Sequence, residues 1–224
     1  MNAAALLDKN GYVIVERMFD ADELARIAAE LEDMPLLGAG MRNLLSFDWC
    51  RSLALRLRHQ PALRALDVDA VVPVLCTYFE KSGEKNWLVP VHQDLSIPVA
   101  ERIEHELLQG WSRKDGMWFV QPPVDVTSRM LALRLHLDDC YADDGPLKVV
   151  PGSHAAGRMT DGAALRLRES CGEQMCCVTR GGVLALRPLL LHASSKSRGT
   201  SRRRVLHFLF GPAELPFGLS WPTA

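Results

Sequence analysis

The chain has 224 residues, a length that suits one large domain, so we predict a single domain over residues 1–224. Apolar residues make up 48% of the chain and charged residues 24%, a balance that excludes an intrinsically disordered protein. The formal net charge of −1 provides no overall field for nucleic acid or an anionic membrane, and we expect neither as a partner.

Cysteine spacing and the amino-terminal residues indicate where in the cell the protein is located. The six cysteines form no CxxC pair and are too sparse for a disulfide scaffold, so we expect reduced thiols. The first residues show no basic stretch followed by an apolar one, and no apolar run approaches the roughly 18 residues of a membrane span. These features predict a cytoplasmic protein.

Helical patterns dominate the chain up to about residue 70. The β-rich run 11–15 comes first, and Asp20-Ala-Asp-Glu23 then matches a capping box at the start of a helix. Apolar residues three and four positions apart extend this helix until Pro35. Residues 49–59 predict a second helix, and residues 61–67, which begin with a proline, predict a short helical turn.

From Val71 onward the pattern changes to short runs rich in β-branched and aromatic residues. The predicted strands are residues 71–79, 87–91, 130–137, 147–150, 183–186 and 205–210. Turn signals without helical spacers separate most of them, which favours a sandwich or barrel and, with the helices before it, the α+β class. Residues 95–127 are predicted to be irregular and to act as a lid.

The run 130–137 alternates with a period of two residues. Its leucines at 131, 133, 135 and 137 share one face, whereas Arg134 and His136 lie on the other. The leucine face is predicted to be core. The polar face would meet solvent in an open sheet or the lumen of a barrel, and the pattern leaves both open.

His92-Gln93-Asp94 is the sharpest local motif, because alternation at a strand end places His92 and Asp94 on one side. His192, at the end of the run 188–192, is a candidate for the third ligand of a metal. Two His and one carboxylate occupy one side of Fe(II) and leave the other side for exchangeable ligands. Zinc sites in hydrolases use similar ligands, so the ligand types alone do not identify the metal.

Four segments of the chain carry recognisable motifs, and the first of them ends with His92-Gln93-Asp94. They are Lys81-Ser-Gly-Glu-Lys-Asn-Trp-Leu-Val-Pro-Val-His-Gln-Asp94, Leu135-His-Leu-Asp-Asp139, Gly145-Pro-Leu-Lys-Val-Val-Pro-Gly-Ser-His154, and His192-Ala-Ser-Ser195 before Arg202-Arg-Arg204. With the run 11–15 and the helix after it, these segments are similar to the phytanoyl-CoA dioxygenase family over about residues 8–210.

The resemblance implies a double-stranded β-helix, a cupin-like jelly-roll barrel over about residues 71–212, with the amino-terminal helices packed on one side. It implies Fe(II) held by His92, Asp94 and His192, with 2-oxoglutarate and O2 as co-substrates. Arg203, about eleven residues beyond the second ligating histidine, would pair with the far carboxylate of 2-oxoglutarate through its planar guanidinium.

The same resemblance suggests three more residues of the cofactor pocket. Thr77 matches a pocket position, and the Ser194 hydroxyl would donate to the carboxylate that Arg203 holds. Arg134 would have to meet an anion if it points inward, because a buried unpaired charge is costly. Lys81 matches the family in type and is expected to position the strand that carries His92.

Three other histidines are expected to be structural. His154 is expected to hold its turn by hydrogen bonds, and His136 and His207 are expected to be core histidines with satisfied hydrogen bonds.

The implied function is hydroxylation of an unactivated C–H bond of a small organic substrate, with release of succinate and CO2. Asp94 disfavours halogenation, since related halogenases carry a small residue in its place. The alternatives are a non-catalytic cupin-like small-molecule or metal-binding protein and a zinc-dependent hydrolase. We expect residues 95–127, with Trp111, Trp118 and Gln121, to select the substrate, and we expect a monomer or small homo-oligomer.

Overall fold

The computed structural model describes residues 2–34, 40–66 and 68–223. The helices within these residues are α1 (Ala3–Asn10), α2 (Ala21–Glu32), α3 (Asp48–Arg58), α4 (Pro61–Arg64), α5 (Val124–Ser128) and α6 (Asp161–Cys171). The strands are β1 (Tyr12–Val15), β2 (Gly40–Met41), β3 (Val71–Lys81), β4 (Val89–His92), β5 (Ile97–Val99), β6 (Gln109–Lys114), β7 (Met117–Gln121), β8 (Leu131–His136), β9 (Leu147–Val149), β10 (Gln174–Cys176), β11 (Val183–Leu186), β12 (His192–Ser194) and β13 (Arg203–Pro212).

Two antiparallel sheets form the frame. The large sheet has the strand order β1-β11-β8-β13-β3-β2, and the small sheet has the order β10-β9-β12-β4. The long strand β13 lies inside this sheet and pairs with β3 on one side and β8 on the other. Helices followed by antiparallel sheets agree with the α+β class predicted from the sequence.

The large sheet separates two apolar cores. On its outer face, Leu133, Leu206 and Phe208 pack with residues of α1, α2, α3 and α4. Its inner face contributes Ala132 and Leu209 to a second core, which it shares with residues of the small sheet. The alternation predicted for residues 130–137 is therefore confirmed, and its polar face lies in the interior between the sheets rather than in solvent.

The capping box predicted at the start of α2 is present. The Asp20 carboxylate accepts from the backbone N–H of Glu23 at 2.8 Å, and the Glu23 carboxylate accepts from the backbone N–H of Asp20 at 3.1 Å. α3 and α4 also fall where helical patterns predicted them. Pro35 and Asp67, the predicted ends of two helical segments, lie outside the described residues.

The prediction that residues 95–127 are irregular is wrong. They contain a third, three-stranded antiparallel sheet of order β5-β7-β6, followed by α5. β6 is largely exposed and contains Gly110, so it lacks the apolar alternation that identifies a strand. Its turn at Asp115–Gly116, where both residues have positive φ, is a hairpin signal that the sequence did contain.

Helices α1 and α6 were not predicted. Their apolar stripes are weak, and each buries only one residue, Leu7 in α1 and Ala164 in α6. Among the described residues, no helix has the length and apolar character needed to cross a membrane.

Candidate functional site

Strand pairing brings the three predicted metal ligands together. β12 runs antiparallel to β4 with His192 directly opposite His92, and Asp94 follows two residues later. The two imidazole centroids lie 4.3 Å apart. His92 Nε2 is 3.6 Å from Asp94 Oδ1, and His192 Nε2 is 3.7 Å from Asp94 Oδ2. One ligand atom from each residue lies within 4.8 Å of the others, so the group can hold a metal ion.

Backbone carbonyls fix the orientation of both rings. His92 Nδ1 lies 2.9 Å from the carbonyl oxygen of Pro90, and His192 Nδ1 lies 2.8 Å from that of Leu190. Since a carbonyl oxygen only accepts, each Nδ1 carries a proton, and Nε2 is the ring nitrogen that faces Asp94. Metal-binding histidines typically have this arrangement, with the second ring nitrogen donating to a carbonyl.

The protonation states suit a divalent cation. Burial alone would raise the pKa of Asp94, but the neighbouring His192 and His92 hold it well below its usual range. Burial lowers the pKa of His192, which keeps that imidazole neutral. The site thus presents an ionised carboxylate and a neutral imidazole at neutral pH, the forms that bind metals.

Gln93 anchors the loop between the two ligands. Its side chain is buried, and its amide nitrogen donates to the carbonyls of Leu189 at 2.6 Å and Gly157 at 2.8 Å. Its amide oxygen accepts from the backbone N–H of Met159 at 2.9 Å. Asp94 adds a backbone hydrogen bond to Pro188 at 2.9 Å. Gln93 therefore ties the His92–Asp94 segment to the turn before His192.

A cavity of about 170 Å³ is lined by all three residues of the triad and is strongly basic. Its wall carries Lys81, Arg134 and Arg203, whose residues are 1%, 8% and 4% exposed. Lys81 at the end of β3 is the register partner of Arg203 at the start of β13, and Arg134 projects from β8. Three strands of the large sheet thus bring three cations together at one small cavity.

These cations have polar contacts but no carboxylate. Lys81 Nζ donates to Ser194 Oγ at 2.7 Å and to the Ser195 carbonyl at 2.5 Å. Arg134 Nη1 donates to His207 Nδ1 at 3.1 Å, whereas Arg203 Nε is buried and has no hydrogen-bond partner among the described residues. Across the described ranges, no Asp or Glu forms an ion pair with any of the three cations.

The three buried positive charges repel one another. Burial, then Arg203 and Arg134, lowers the pKa of Lys81 to about 8, and burial with Arg203 lowers that of Arg134 to about 10. Both groups still carry their charge at neutral pH. Burial and the adjacent arginines also depress the pKa of His136. The cavity therefore carries an excess of buried positive charge together with the Arg203 Nε donor, features that favour an anion.

The structure bears on four residue predictions. The Ser194 hydroxyl donates to the Gly145 carbonyl at 2.9 Å and accepts from Lys81, so its proton is not directed at the cavity. Lys81, expected to position the strand that carries His92, lines the cavity itself. His136 was expected to be satisfied, but both its ring nitrogens are buried without a partner. His154 holds a neighbouring helix rather than its own turn, through a 3.2 Å contact of Nε2 with the Asp8 carbonyl.

A second cavity of about 310 Å³ also borders His92 and Asp94; we call it the outer cavity, and the basic cavity the inner cavity. It shares Phe79, His92, Asp94 and His207 with the basic cavity. Thr77 lines this outer cavity, not the inner one.

Five residues of the 95–127 segment line the outer cavity: Leu95, Ser96, Ile97, Lys114 and Phe119. Trp111 and Trp118, expected to select substrate, pack edge-to-face on each other with centroids 6.2 Å apart and do not line it. Gln121 instead lines a separate cavity of about 190 Å³, where its amide oxygen accepts from Arg158.

Comparison with known families supports the resemblance seen in the sequence. The sequence model described as phytanoyl-CoA dioxygenase (PhyH) matches residues 7–205 of this chain. Among curated proteins, none matches the sequence significantly.

Solved structures share the fold at low sequence identity. SnoK, a non-heme alpha-ketoglutarate-dependent carbocyclase from nogalamycin biosynthesis, has a TM-score of 0.69 at 16% identity over 98% of this chain and 85% of its own. EctD from S. alaskensis has a TM-score of 0.70 at 21% identity over 98% and 80%. HygX from Streptomyces hygroscopicus, crystallised with nickel and 2-oxoglutarate, has a TM-score of 0.62 at 19% identity over 93% and 85%. The predicted fold class is confirmed.

We predict that Gln93→Ala weakens metal binding at the triad, because the loop between His92 and Asp94 loses three hydrogen bonds to distant backbone groups. Loss of such supporting contacts typically costs about 10- to 100-fold in metal affinity. Titration with Co(II), followed by visible absorption, measures the change. Gln174→Ala, on exposed β10, is the matched control and should bind like the wild type. Equal affinity in Gln93→Ala would contradict the anchoring role.

Proposed function

This chain belongs to the phytanoyl-CoA dioxygenase family, and from that premise we propose that it is an Fe(II)- and 2-oxoglutarate-dependent dioxygenase that hydroxylates an unactivated C–H bond of a small organic substrate. The observation that carries the proposal is the inner cavity. It places three buried cations without a carboxylate partner directly beside a His-Asp-His metal site. A bound dicarboxylate would balance that charge next to the metal.

The donor set fits Fe(II). His92, Asp94 and His192 would hold the ion from one side, which leaves the other side for exchangeable ligands. When bound, iron with 2-oxoglutarate and O2 supplies the oxidising chemistry and releases succinate and CO2. The protein's own contribution is to orient the two imidazoles through the carbonyls of Pro90 and Leu190.

Arg203 is the proposed anchor of the far carboxylate of 2-oxoglutarate. Its guanidinium lines the inner cavity, and its Nε is a buried donor that lacks a partner. Arg134 and Lys81 would add charge on the same wall. Ser194 would act indirectly, because it holds Lys81 in place, and Thr77 would contact bound ligands from the outer cavity. Burial of these groups keeps water away from the anion.

The inner cavity also favours this proposal over the alternatives. A zinc hydrolase needs a metal-bound water and a general base, and has no use for three buried cations. A non-catalytic cupin-like small-molecule or metal-binding protein would use either an anion site or a metal triad, and has no need for the two side by side. Among the similar structures, SnoK is described as a carbocyclase and SnoN as an epimerase, so this fold is compatible with several outcomes. We propose hydroxylation, with Asp94 excluding a halide from its ligand position.

The remaining expectations form part of the proposal. We place the enzyme in the cytoplasm as a single domain that acts as a monomer or small homo-oligomer. The six cysteines are free, as a reducing compartment would keep them.

We predict a visible charge-transfer band when Fe(II) and 2-oxoglutarate are added to the protein without oxygen. The band should disappear in His192→Ala, which removes one proposed ligand. His59→Ala, an exposed histidine at the end of α3, is the matched control and should retain the band. Absorption spectroscopy makes the measurement. A band that persists in His192→Ala would contradict the proposed ligand set, and iron binding without a band would contradict the use of 2-oxoglutarate.

A second prediction separates Arg203 from its neighbour Arg202. Arg203→Gln should raise the Kd for 2-oxoglutarate about thirtyfold or more. The substitution removes the cation from a buried pair with the 2-oxoglutarate carboxylate, and this loss costs at least about 2 kcal/mol of binding free energy. Arg202 points to the opposite face, where it is bonded to Glu80 at 2.8 Å. Arg202→Gln should therefore bind 2-oxoglutarate like the wild type. Titration of the charge-transfer band gives both constants, and equal effects of the two substitutions would disprove the assignment.

A further inference from the structure

We propose that the substrate is a small molecule with an apolar body and an anionic group, and that Lys114 recognises this anionic group. The inference rests on the proposed function, because it takes the outer cavity as the substrate side of the metal site. The two cavities meet at His92 and Asp94, and the inner one is assigned to 2-oxoglutarate. A substrate in the outer cavity would therefore lie beside the metal.

The volume and walls of the outer cavity define the body of the substrate. At about 310 Å³ the cavity lies at the small end of ligand pockets, so it encloses a small molecule or one portion of a larger one. Leu75, Phe79, Phe119, Met130 and Leu209 form much of its wall. Such a wall favours an apolar body, since burial of apolar surface contributes about 25 cal/mol per Å².

The charged side chains of the cavity are unbalanced. Lys114 and Arg42 both line it, whereas the one carboxylate among its described lining residues is Asp94, which belongs to the metal triad. Positive potential in a cleft raises the local concentration of anions and disfavours cations. The cavity therefore selects for negative charge on the part of the substrate that lies away from the metal.

The two cations differ in their availability. Arg42 is engaged by Asp115, with Nη1 2.9 Å from Oδ2, an ion pair that joins the segment before α3 to the β6–β7 turn. Lys114 forms no ion pair within the described part of the chain, and its ammonium lies 4.9 Å from the centroid of the Phe119 ring. Since Phe119 also lines the cavity, this contact holds the ammonium at the cavity wall. Lys114 is therefore the cation that is free to bind an anionic group. Arg42 could bind one only if its ion pair with Asp115 were broken.

Matched acids and amides test the inference directly. Butyrate, hexanoate, benzoate and phenylacetate, each paired with its primary amide, are titrated by calorimetry into the full-length protein with Ni(II) and 2-oxoglutarate present. We expect at least one acid to bind about tenfold more tightly than its amide, equivalent to about 1.4 kcal/mol. Lys114→Gln should remove this preference.

Arg113→Gln is the matched control. Arg113 precedes Lys114 on β6, where its guanidinium lies over Trp118, and it does not line the cavity. The acid preference should survive in this variant. The inference is overturned if no acid binds more tightly than its amide, and this includes the case in which no probe binds. It is also overturned if the preference for acids persists in Lys114→Gln, as it would if the acids bound in the inner cavity.

The outcome is distinguishable from failure of the proposed function. The charge-transfer band of Fe(II) and 2-oxoglutarate forms without any substrate, so its absence counts against the function alone. A normal band together with no acid preference counts against the substrate class alone.

Discussion

The uncompensated positive charge in the barrel interior governs the rest of the site. Lys81, Arg134 and Arg203 are almost fully buried, and Asp94 is the single carboxylate among the described residues that line their cavity. Removing cations from water costs several kcal/mol each unless a partner compensates them. Their mutual repulsion adds to this cost, and burial together with that repulsion lowers the pKa of Lys81 to about 8. The folded protein keeps this arrangement although it is costly, which is the expected mark of a site that binds an anion.

Antiparallel pairing explains how a small sheet segment can hold such a cluster. Because side chains alternate along a strand, the register of β13 with β3 and β8 sets Arg203 beside Lys81 and His207 beside both Thr77 and Arg134 on the inner face. The outer face of the same strands contributes leucine and phenylalanine side chains to the core under the helices. That outer core stabilises the sheet and so holds the strained inner face in place. In the small sheet, the pairing of β12 with β4 brings His192 to His92 in the same way.

Much of this could be predicted from local patterns. The period of two along residues 130–137 identified Arg134 and His136 as a shared face, and the metal motif identified His92 and Asp94. Apart from the meeting of His192 with His92 and Asp94, contacts between distant segments could not be predicted. The Lys81 bond to Ser194 spans 113 residues, and Gln93 acts through carbonyls 64 and 96 residues away, so no spacing in the sequence reveals either role. The strands within residues 95–127 were missed because an exposed strand has no apolar alternation.

The most direct test of this account is a crystal structure of the protein grown without oxygen in the presence of Fe(II) and 2-oxoglutarate. The account predicts iron bound by His92, Asp94 and His192, with the far carboxylate of 2-oxoglutarate against Arg203 in the inner cavity. It also predicts that the outer cavity stays open to a substrate. Iron at any other group of residues, or 2-oxoglutarate bound at Lys114 and Arg42 with the inner cavity left to water, would contradict it.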